Sequence, residues 1–428
     1  MNKSPQSMLR VEIFKKKLQV YIFVIPWIVV GSVLLIVTKA ATTSVGLEVE
    51  SGVLTGDAKI VNDSNASNGK AVVFGDTKNS LPAQCKSGGT YLWENLESCG
   101  WVGTKNTGVD TTKCPNGLTK LGAKSTDYID IRTANTVIEC KNVIGGLRVY
   151  AQNVTIKNSK VTYNAGGGLG VGGTGVIKIF DDASATIDQV ELDGLNGTHA
   201  CVFNLGVKGI SLPYSMVVRK VNCHNTNDGI FNWFSGPGSR YPSKYPNTAS
   251  DFIIENSFFH DFTEGAANGH IDGFQTEGTS NGVIKGNTFK ITKRLNDVHV
   301  EGGTLNSAMA IWNNSNSVTN YKVSNNLIAG GGFAVYVYDR NPSVSNPTSG
   351  GQGVGGFSVT DVQMNDNSFS NYFNNCIGKY GAWFFRSEWS PYYGGPTDGW
   401  HRKGNTVIET GENLDSGNPH KPDGSLCI

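Results

Sequence analysis

A short pattern recurs along most of this chain and limits what it can fold into: alternating apolar residues that run into an asparagine or glycine bend. It appears in VTIKNSKV (154 to 161), ATIDQVEL (185 to 192), MVVRKVNC (216 to 223), FIIENSFF (252 to 259), GVIKGNTF (282 to 289), YKVSNNLI (321 to 328), MNDNSF (364 to 369) and RKGNTVI (402 to 408). Setting Asn158, Gln189, Lys220, Asn256, Asn287, Asn326, Asn367 and Asn405 equivalent gives separations of 31, 31, 36, 31, 39, 41 and 38 residues. Such alternation makes half-buried strands. A unit too small to bury its own apolar face is stable only when stacked on its neighbours. The expected fold is therefore all-β, a parallel β-helix in which each turn adds a rung. The recurrent asparagine is given two duties: it tolerates the left-handed backbone of a sharp bend, and its amide bonds to the next amide along the coil.

At 428 residues the chain exceeds an ordinary domain, yet a solenoid lengthens without needing a second core. The net charge is +1 with no basic run beyond the N-terminus, which argues against a nucleic-acid partner. Lys15, Lys16 and Lys17 precede an uncharged stretch from residue 18 to 38, about the 20 residues needed to cross a bilayer. The positive-inside bias makes residues 1–17 a cytoplasmic tail, 18–38 a transmembrane signal-anchor, and the rest extracellular. Cleavage after the small residues Ala40 and Ala41 is the alternative, and would release a secreted protein.

Residues 39–110 read as an extracellular stalk and disulfide-containing entry segment, 111–410 as the coil and 411–428 as a tail. Within the stalk, residues 46 to 75 resemble the opening strands of β-sandwich carbohydrate-binding modules, but too little chain follows for a whole module, and Glu48 and Glu50 are given no ligand role. The eight cysteines, 85, 99, 114, 140, 201, 223, 376 and 427, all follow the apolar segment, and an even number in an exported domain argues for disulfides. None form a C-x-x-C pair, so zinc is not expected. The pairing is left open, with Cys201 and Cys223 expected as free buried thiols.

The strings Ile-Lys-Asn-Ser and Ile-Glu-Asn-Ser, with the asparagine ladder, resemble right-handed β-helix proteins of the pectate-lyase-like superfamily over roughly residues 130 to 410. CGWVGTKNTGV (99 to 109) is similar to the entry segment of exported members. The resemblance implies the fold and leaves the reaction open. NTNDGI (225 to 230) resembles the Asn-Thr-Asp-Gly segment of polygalacturonase-type glycosidases with one residue inserted, while that family's Asp-Asp, Gly-His-Gly and Arg-Ile-Lys segments and the Trp-Ile-Asp-His signature of pectate lyases are missing.

Aligning HACVFN (199 to 204), DGIFNW (228 to 233), DGFQTE (272 to 277), SAMAIW (307 to 312) and FAVYVY (333 to 338) sorts side chains by strand alternation. The third column, Cys201, Ile230, Phe274, Met309 and Val335, is assigned to the core, and the second, fourth and sixth columns face outward. That exposes Trp233, Phe231, Gln275, Trp312, Tyr336 and Tyr338 as a sugar-binding platform, since aromatic faces suit the C–H face of a pyranose. A loop at residues 235–250 lying over these aromatics is the structural alternative. Beside the platform, Asp272 is the central candidate carboxylate, Asp228 and Glu277 its partners and His270 a proton donor or orienting group. Asp228-Gly229 and Asp272-Gly273 also read as ordinary turn chemistry, the role favoured for Asp228 taken alone. Lys293, Arg294 and Arg340 are conceivable lyase bases, and Asp297, His299 and Glu301 lie on the next loop.

The leading expectation is a membrane-anchored extracellular protein that binds polysaccharide and cleaves it in the manner of a polysaccharide lyase, with an acidic glycan favoured. No cofactor is certain and no metal ligands are assigned, calcium being the ion such chemistry would use. The alternative is a non-catalytic glycan-binding adhesin or structural surface protein, with a glycoside hydrolase or uronate epimerase less favoured.

Overall fold

The computed structural model describes residues 58–62, 70–74, 82–166, 173–180, 183–205, 214–232, 251–263, 271–292, 305–313, 317–339, 359–387 and 400–427. The expected membrane segment at 18–38 lies outside them, and among the described residues no helix is long and apolar enough to cross a membrane. The chain divides into two compact units, residues 1–77 and 78–428. In the first, strands Ala58–Asn62 and Lys70–Phe74 pair antiparallel.

The second unit is built from parallel strands that pair, turn upon turn, into three sheets. The first runs from Val137–Glu139 through Phe252–Glu255 and Val318–Ser324 to Trp400–Lys403. The second runs from Thr119–Leu121 through Phe258–Phe259 to Thr406–Val407. The third runs from Tyr128–Ile131 through Ile271–Thr276 to Gly381–Ser387. Each strand bonds to the one a full turn later, an all-β arrangement that fits the expected parallel β-helix. Its interior is a single apolar column in which like stacks on like, as Phe259 does on Phe289 with ring centroids 4.9 Å apart.

The bend between the first and second sheets separates two duties that the sequence reading gave to one residue. The left-handed backbone belongs to Asn158, Gln189, Lys220, Asn256, Gly286, Asn325, Asp366 and Gly404. The buried ladder is formed by the next residue, Ser257, Asn287, Asn326, Asn367 and Asn405. The equivalence set by sequence therefore slips by one residue from Asn287 onward, because a glycine or a second polar residue takes over the bend there. In the ladder, the backbone N–H and Nδ2 of Asn326 both donate to Asn367 Oδ1, at 3.1 and 2.9 Å, and Asn367 Nδ2 donates to Asn405 Oδ1 at 3.0 Å. Asp415 ends the ladder by accepting from the N–H and Nδ2 of Asn405, both at 3.0 Å.

The entry segment crosses the outer face of the second sheet along the coil axis. Its helices Ala83–Lys86 and Gly89–Glu94 sit beside the last rungs, where Trp93 Nε1 donates to Ser370 Oγ at 3.1 Å. Farther on, Gly108 N–H donates to Lys220 O at 2.8 Å, and the Cys114–Cys140 disulfide closes the first turn. Leu92, Leu96 and the Cys85–Cys99 disulfide pack on Phe258 and Leu327, apolar residues facing out of the second sheet. At the other end Leu414 enters the core, Trp383 Nε1 donates to its carbonyl, and Cys376–Cys427 ties the tail down. Cys201 and Cys223, expected as free thiols, form the fourth disulfide, because adjacent turns bring two inward-facing positions to a Cα separation of 6.0 Å.

The division of labour at the bend is open to test by thermal or urea unfolding. Asn367→Ala strips the acceptor from two buried Asn326 donors and is expected to cost about 2–4 kcal/mol. Asp366→Gly, at the left-handed position beside it, is expected to change stability by no more than about 1 kcal/mol.

Candidate functional site

The third sheet carries the chemistry. Its register pairs Val202, not Cys201, with Ile230, then Phe274, Met309 and Val335, and these five line the core. The neighbouring column of Cys201, Ala308 and Ala334 also lies in the core, so the outward assignment of that column is corrected. Two consecutive residues face inward because the chain turns a corner between the second and third sheets. In the two middle turns that corner leaves no room for a side chain: a Cβ on Gly229 would lie 2.1 Å from Gly273 O, and one on Gly273 would lie 2.7 Å from Ala308 O. Neither glycine has the left-handed φ of a turn. Asp228 and Asp272 are thus strand residues at a tight corner and not turn residues.

Asp228 and Asp272 occupy successive turns on the outer side of this corner. Asp272 N–H donates to Asp228 Oδ1 at 2.9 Å, and Ser307 Oγ donates to Asp272 Oδ1 at 2.5 Å. On the other side, His199 Nε2 lies 3.2 Å from Asp228 Oδ2. The imidazole is 5.3 Å from the ring of Phe231, which belongs to an apolar cluster separate from the core. The result is a file of four: His199, Asp228, Asp272 and Ser307.

Asp228 is 1% exposed and Asp272 0%. Burial, and then the neighbouring Asp272 charge, push the Asp228 carboxyl well above the ordinary carboxylate range. Burial pushes the His199 imidazole down to about 4. The 3.2 Å contact has ion-pair geometry, while burial shifts both partners toward their neutral forms, the imidazole downward and the carboxyl upward.

One outward column runs the length of the sheet: Asp130, Arg148, Lys178, Phe203, Phe231, Gln275, Ala310, Tyr336 and Phe384. At one strand spacing per turn it is about 38 Å long. Its middle is covered, with Phe231 4% and Gln275 5% exposed, so these two do not form an open platform. Both ends reach the surface. At the lower end, half-buried Tyr336 stacks on Phe384 at 4.6 Å, Trp312 meets Tyr336 edge-on at 5.9 Å, and Phe333 lies against Phe384 and Tyr380. At the upper end, Tyr150 stacks on Phe180 at 4.3 Å, Arg132 lies over Tyr150, and Lys178 lies between Phe180 and Phe203.

Of the sequence-predicted acids, the structure brings Asp272 and Asp228 together. Glu277 lies just past the far end of the same strand, five residues or roughly 15 Å along the chain from Asp272, and does not join the pair. His270, Trp233, Lys293, Arg294, Asp297, His299, Glu301, Arg340 and the 235–250 loop lie outside the described residues, as does the side chain of Tyr338. Sequence reasoning gave no role to His199 and Ser307, although its alignment set both in one column with Asp228 and Asp272. It also missed Arg148, Lys178 and Phe384, which extend the same column beyond the five aligned segments, and Phe333, whose ring lies against Phe384.

A group with metal-binding chemistry lies elsewhere, on the second sheet, where Glu191, Asp193 and His224 place ligand atoms within 4.8 Å of one another. Lys160 already pairs with Glu191 at 2.8 Å, and Asn225 Nδ2 and Leu195 N–H donate to Asp193. A hydrogen bond from His224, followed by Lys160, holds Glu191 down at about 2 despite partial burial. This network is charge-compensated, and we assign it no ion.

No protein-family model matches the chain, and no curated protein matches its sequence.

The raised Asp228 carboxyl sets a sign for stability against pH. Its folded-state value lies above the ordinary 3.8, so its contribution is complete below 3.8 and is lost as pH rises through the folded value. Unfolding measurements from pH 4 to 8 are expected to show the native protein losing stability relative to Asp228→Asn as pH rises, by at most about 1.4 kcal/mol per pH unit. Parallel curves would show that the carboxyl titrates normally.

Proposed function

We propose that the chain is an exported right-handed β-helix protein of the pectate-lyase-like kind, anchored by its N-terminal segment, that binds an acidic extracellular polysaccharide along the third sheet and cleaves it. The observation that carries this reading is the coincidence, on one outer face, of a buried carboxyl pair and a column with open aromatic ends. A carboxyl that keeps its proton beside one that does not is the equipment both glycoside hydrolysis and elimination need, one partner protonating the leaving oxygen and the other accepting a proton from water or sugar. The aromatic ends suit pyranose faces, and the length of the column suits a polymer.

The preference for an acidic glycan has its own support. Arg148 and Lys178 sit on adjacent turns. Burial, and then Arg148, lower the Lys178 ammonium, which has no carboxylate within ion-pair distance among the described residues. Arg148 is already paired with Asp130 at 2.7 Å, so Lys178 is the cation that favours an anionic ligand here. The four disulfides suit an oxidising, extracellular setting.

A second reading, binding without chemistry, is favoured by the burial of the acids, which as a hydrogen-bonded file also stitch the corner together. Incubating the protein with polyuronates and neutral glycans, with and without calcium, separates the two. Ultraviolet absorbance from unsaturated ends indicates elimination, reducing ends without absorbance indicate hydrolysis, and binding with neither supports the second reading. Asp272→Asn is expected to abolish turnover and leave the fold intact.

Lys178→Gln is expected to weaken binding of an acidic glycan about tenfold and flatten its salt dependence, with neutral glycans unaffected. Phe384→Ala is expected to weaken every glycan that binds, by about 1 kcal/mol. Equal losses in both variants for charged and neutral chains would remove the acidic preference.

A further inference from the structure

The two ends of the coil are finished differently. At the last turn the tail supplies partners to the outward strand edges. Asn418 Oδ1 accepts the Trp383 N–H at 2.7 Å and Asn418 Nδ2 donates to Trp383 O at 3.1 Å, which stands in for a further strand of the third sheet. Val407 N–H donates to Glu412 O and Leu414 N–H to Asn405 O, both at 2.9 Å, which does the same for the second sheet. At the first turn, Thr119–Leu121, Tyr128–Ile131 and Val137–Glu139 each pair with the strand one turn later and, among the described residues, with no strand on the other side. The Cys114–Cys140 disulfide and the strap close the circumference of this turn, but they give its outer strand edges no partner. Ile131 and Ile138 are buried there, Leu121 and Ile129 are only half-buried, and Val137 is 56% exposed.

We propose that a second copy of this chain docks on this edge, first turn against first turn. An unpaired edge takes up further strands, and two observations select the occupant. The first is where the chain is already committed. The strap starts beside the last turn, where Gly89 N–H donates to Glu409 Oε1 at 3.4 Å, and Cys427 ties the tail to Cys376 at the same end. Neither is placed to fold over the first turn.

The second observation is charge. A two-fold axis through the middle of the third sheet lays Tyr128–Ile131 antiparallel on its own counterpart and exchanges the other two sheets, so Thr119–Leu121 of each copy meets Val137–Glu139 of the other. In the register that sets inward-facing Leu121 over inward-facing Ile138, Lys120 lies over Glu139 on the outside. Both are exposed; Glu139 pairs with Lys157 at 3.1 Å at the surface, and Lys120 has no carboxylate within ion-pair distance among the described residues. An axis through either other sheet would set Lys120 on Lys120 or Glu139 on Glu139. Short, charged edge strands ordinarily turn a passing strand away, and this pattern readmits the one that carries the opposite charge at the opposite place.

The pairing goes beyond glycan binding. It runs the third-sheet column of one copy into that of the other, with Arg148 and Lys178 of both near the join, and it points the two strap entries in opposite directions. Where the chain is anchored as proposed, such a pair links two facing surfaces.

Sedimentation velocity of the full chain in detergent, at up to about 100 µM, reads the association. A reversible dimer is expected. Lys120→Glu and Glu139→Lys are each expected to weaken it about tenfold, since the two-fold repeats every contact, and the two combined are expected to recover most of the loss. A monomer throughout, a dimer that neither reversal weakens, or a double variant no tighter than the single ones would overturn the proposal.

Discussion

A parallel coil satisfies its backbone only through the turn above and the turn below, and the rest of this structure follows from that dependence. Each strand's N–H and C=O groups are paired by the next turn, so the open problem is confined to the two ends. At the first turn, the Cys114–Cys140 disulfide and the strap that returns along the second sheet close the coil. At the last, Asp415 accepts the donors that Asn405 would otherwise leave unmet, and Leu414 fills the core beneath Trp383. Hydrogen bonds from Asn405, Asn413 and Gly404 outweigh the effect of burial and hold the Asp415 carboxyl below its usual range, which keeps it the acceptor that this position needs.

The same dependence explains why the fold gathers like charges. Register sets a residue directly over its equivalent, so a side chain repeated in the sequence is stacked at about one strand spacing in space. Inside, this yields favourable files, phenylalanine on phenylalanine and asparagine on asparagine. Outside, it sets Asp272 over Asp228 and Lys178 beside Arg148. Two carboxylates so close in a dry place cannot both ionise. The coil thus generates a proton-sharing pair from the recurrence of Asp-Gly, with no dedicated element to position it.

The sequence made the coil legible because its signal, alternation ending in a polar bend, is local and repeats. It also made Asp228, Asp272, Trp312 and Tyr336 legible, since these lie within strands whose alternation can be counted. What it hid lies where alternation fails. At the corner, Gly229 and Ile230 both face inward, so counting in twos from Cys201 put the first strand out by one: Ala200, not His199, is the register partner of Asp228. At the other bend, Gly286 and Asn287 split duties that Asn appeared able to perform alone. The strap was illegible for a different reason: its partners, such as Ser370 for Trp93, lie 277 residues away and no periodicity links them. The Cys201–Cys223 bond was hidden because Cys223 lies in the second sheet and Cys201 in the third, positions that the repeat does not set opposite one another.

Burial of the acids bears on both functional readings, and in opposite ways. A carboxyl pair open to water would be screened, each member would ionise near its ordinary value, and no proton would be held for donation. Enclosure that looks structural is therefore also the condition for acid–base use. What tips the balance is the rest of the column: a corner stitched only for stability needs no aromatic pairs at its surface ends, nor an ammonium beside a guanidinium half out of water. The proposed reading accounts for them together, because a long, ring-bearing, negatively charged chain would lie across all of them.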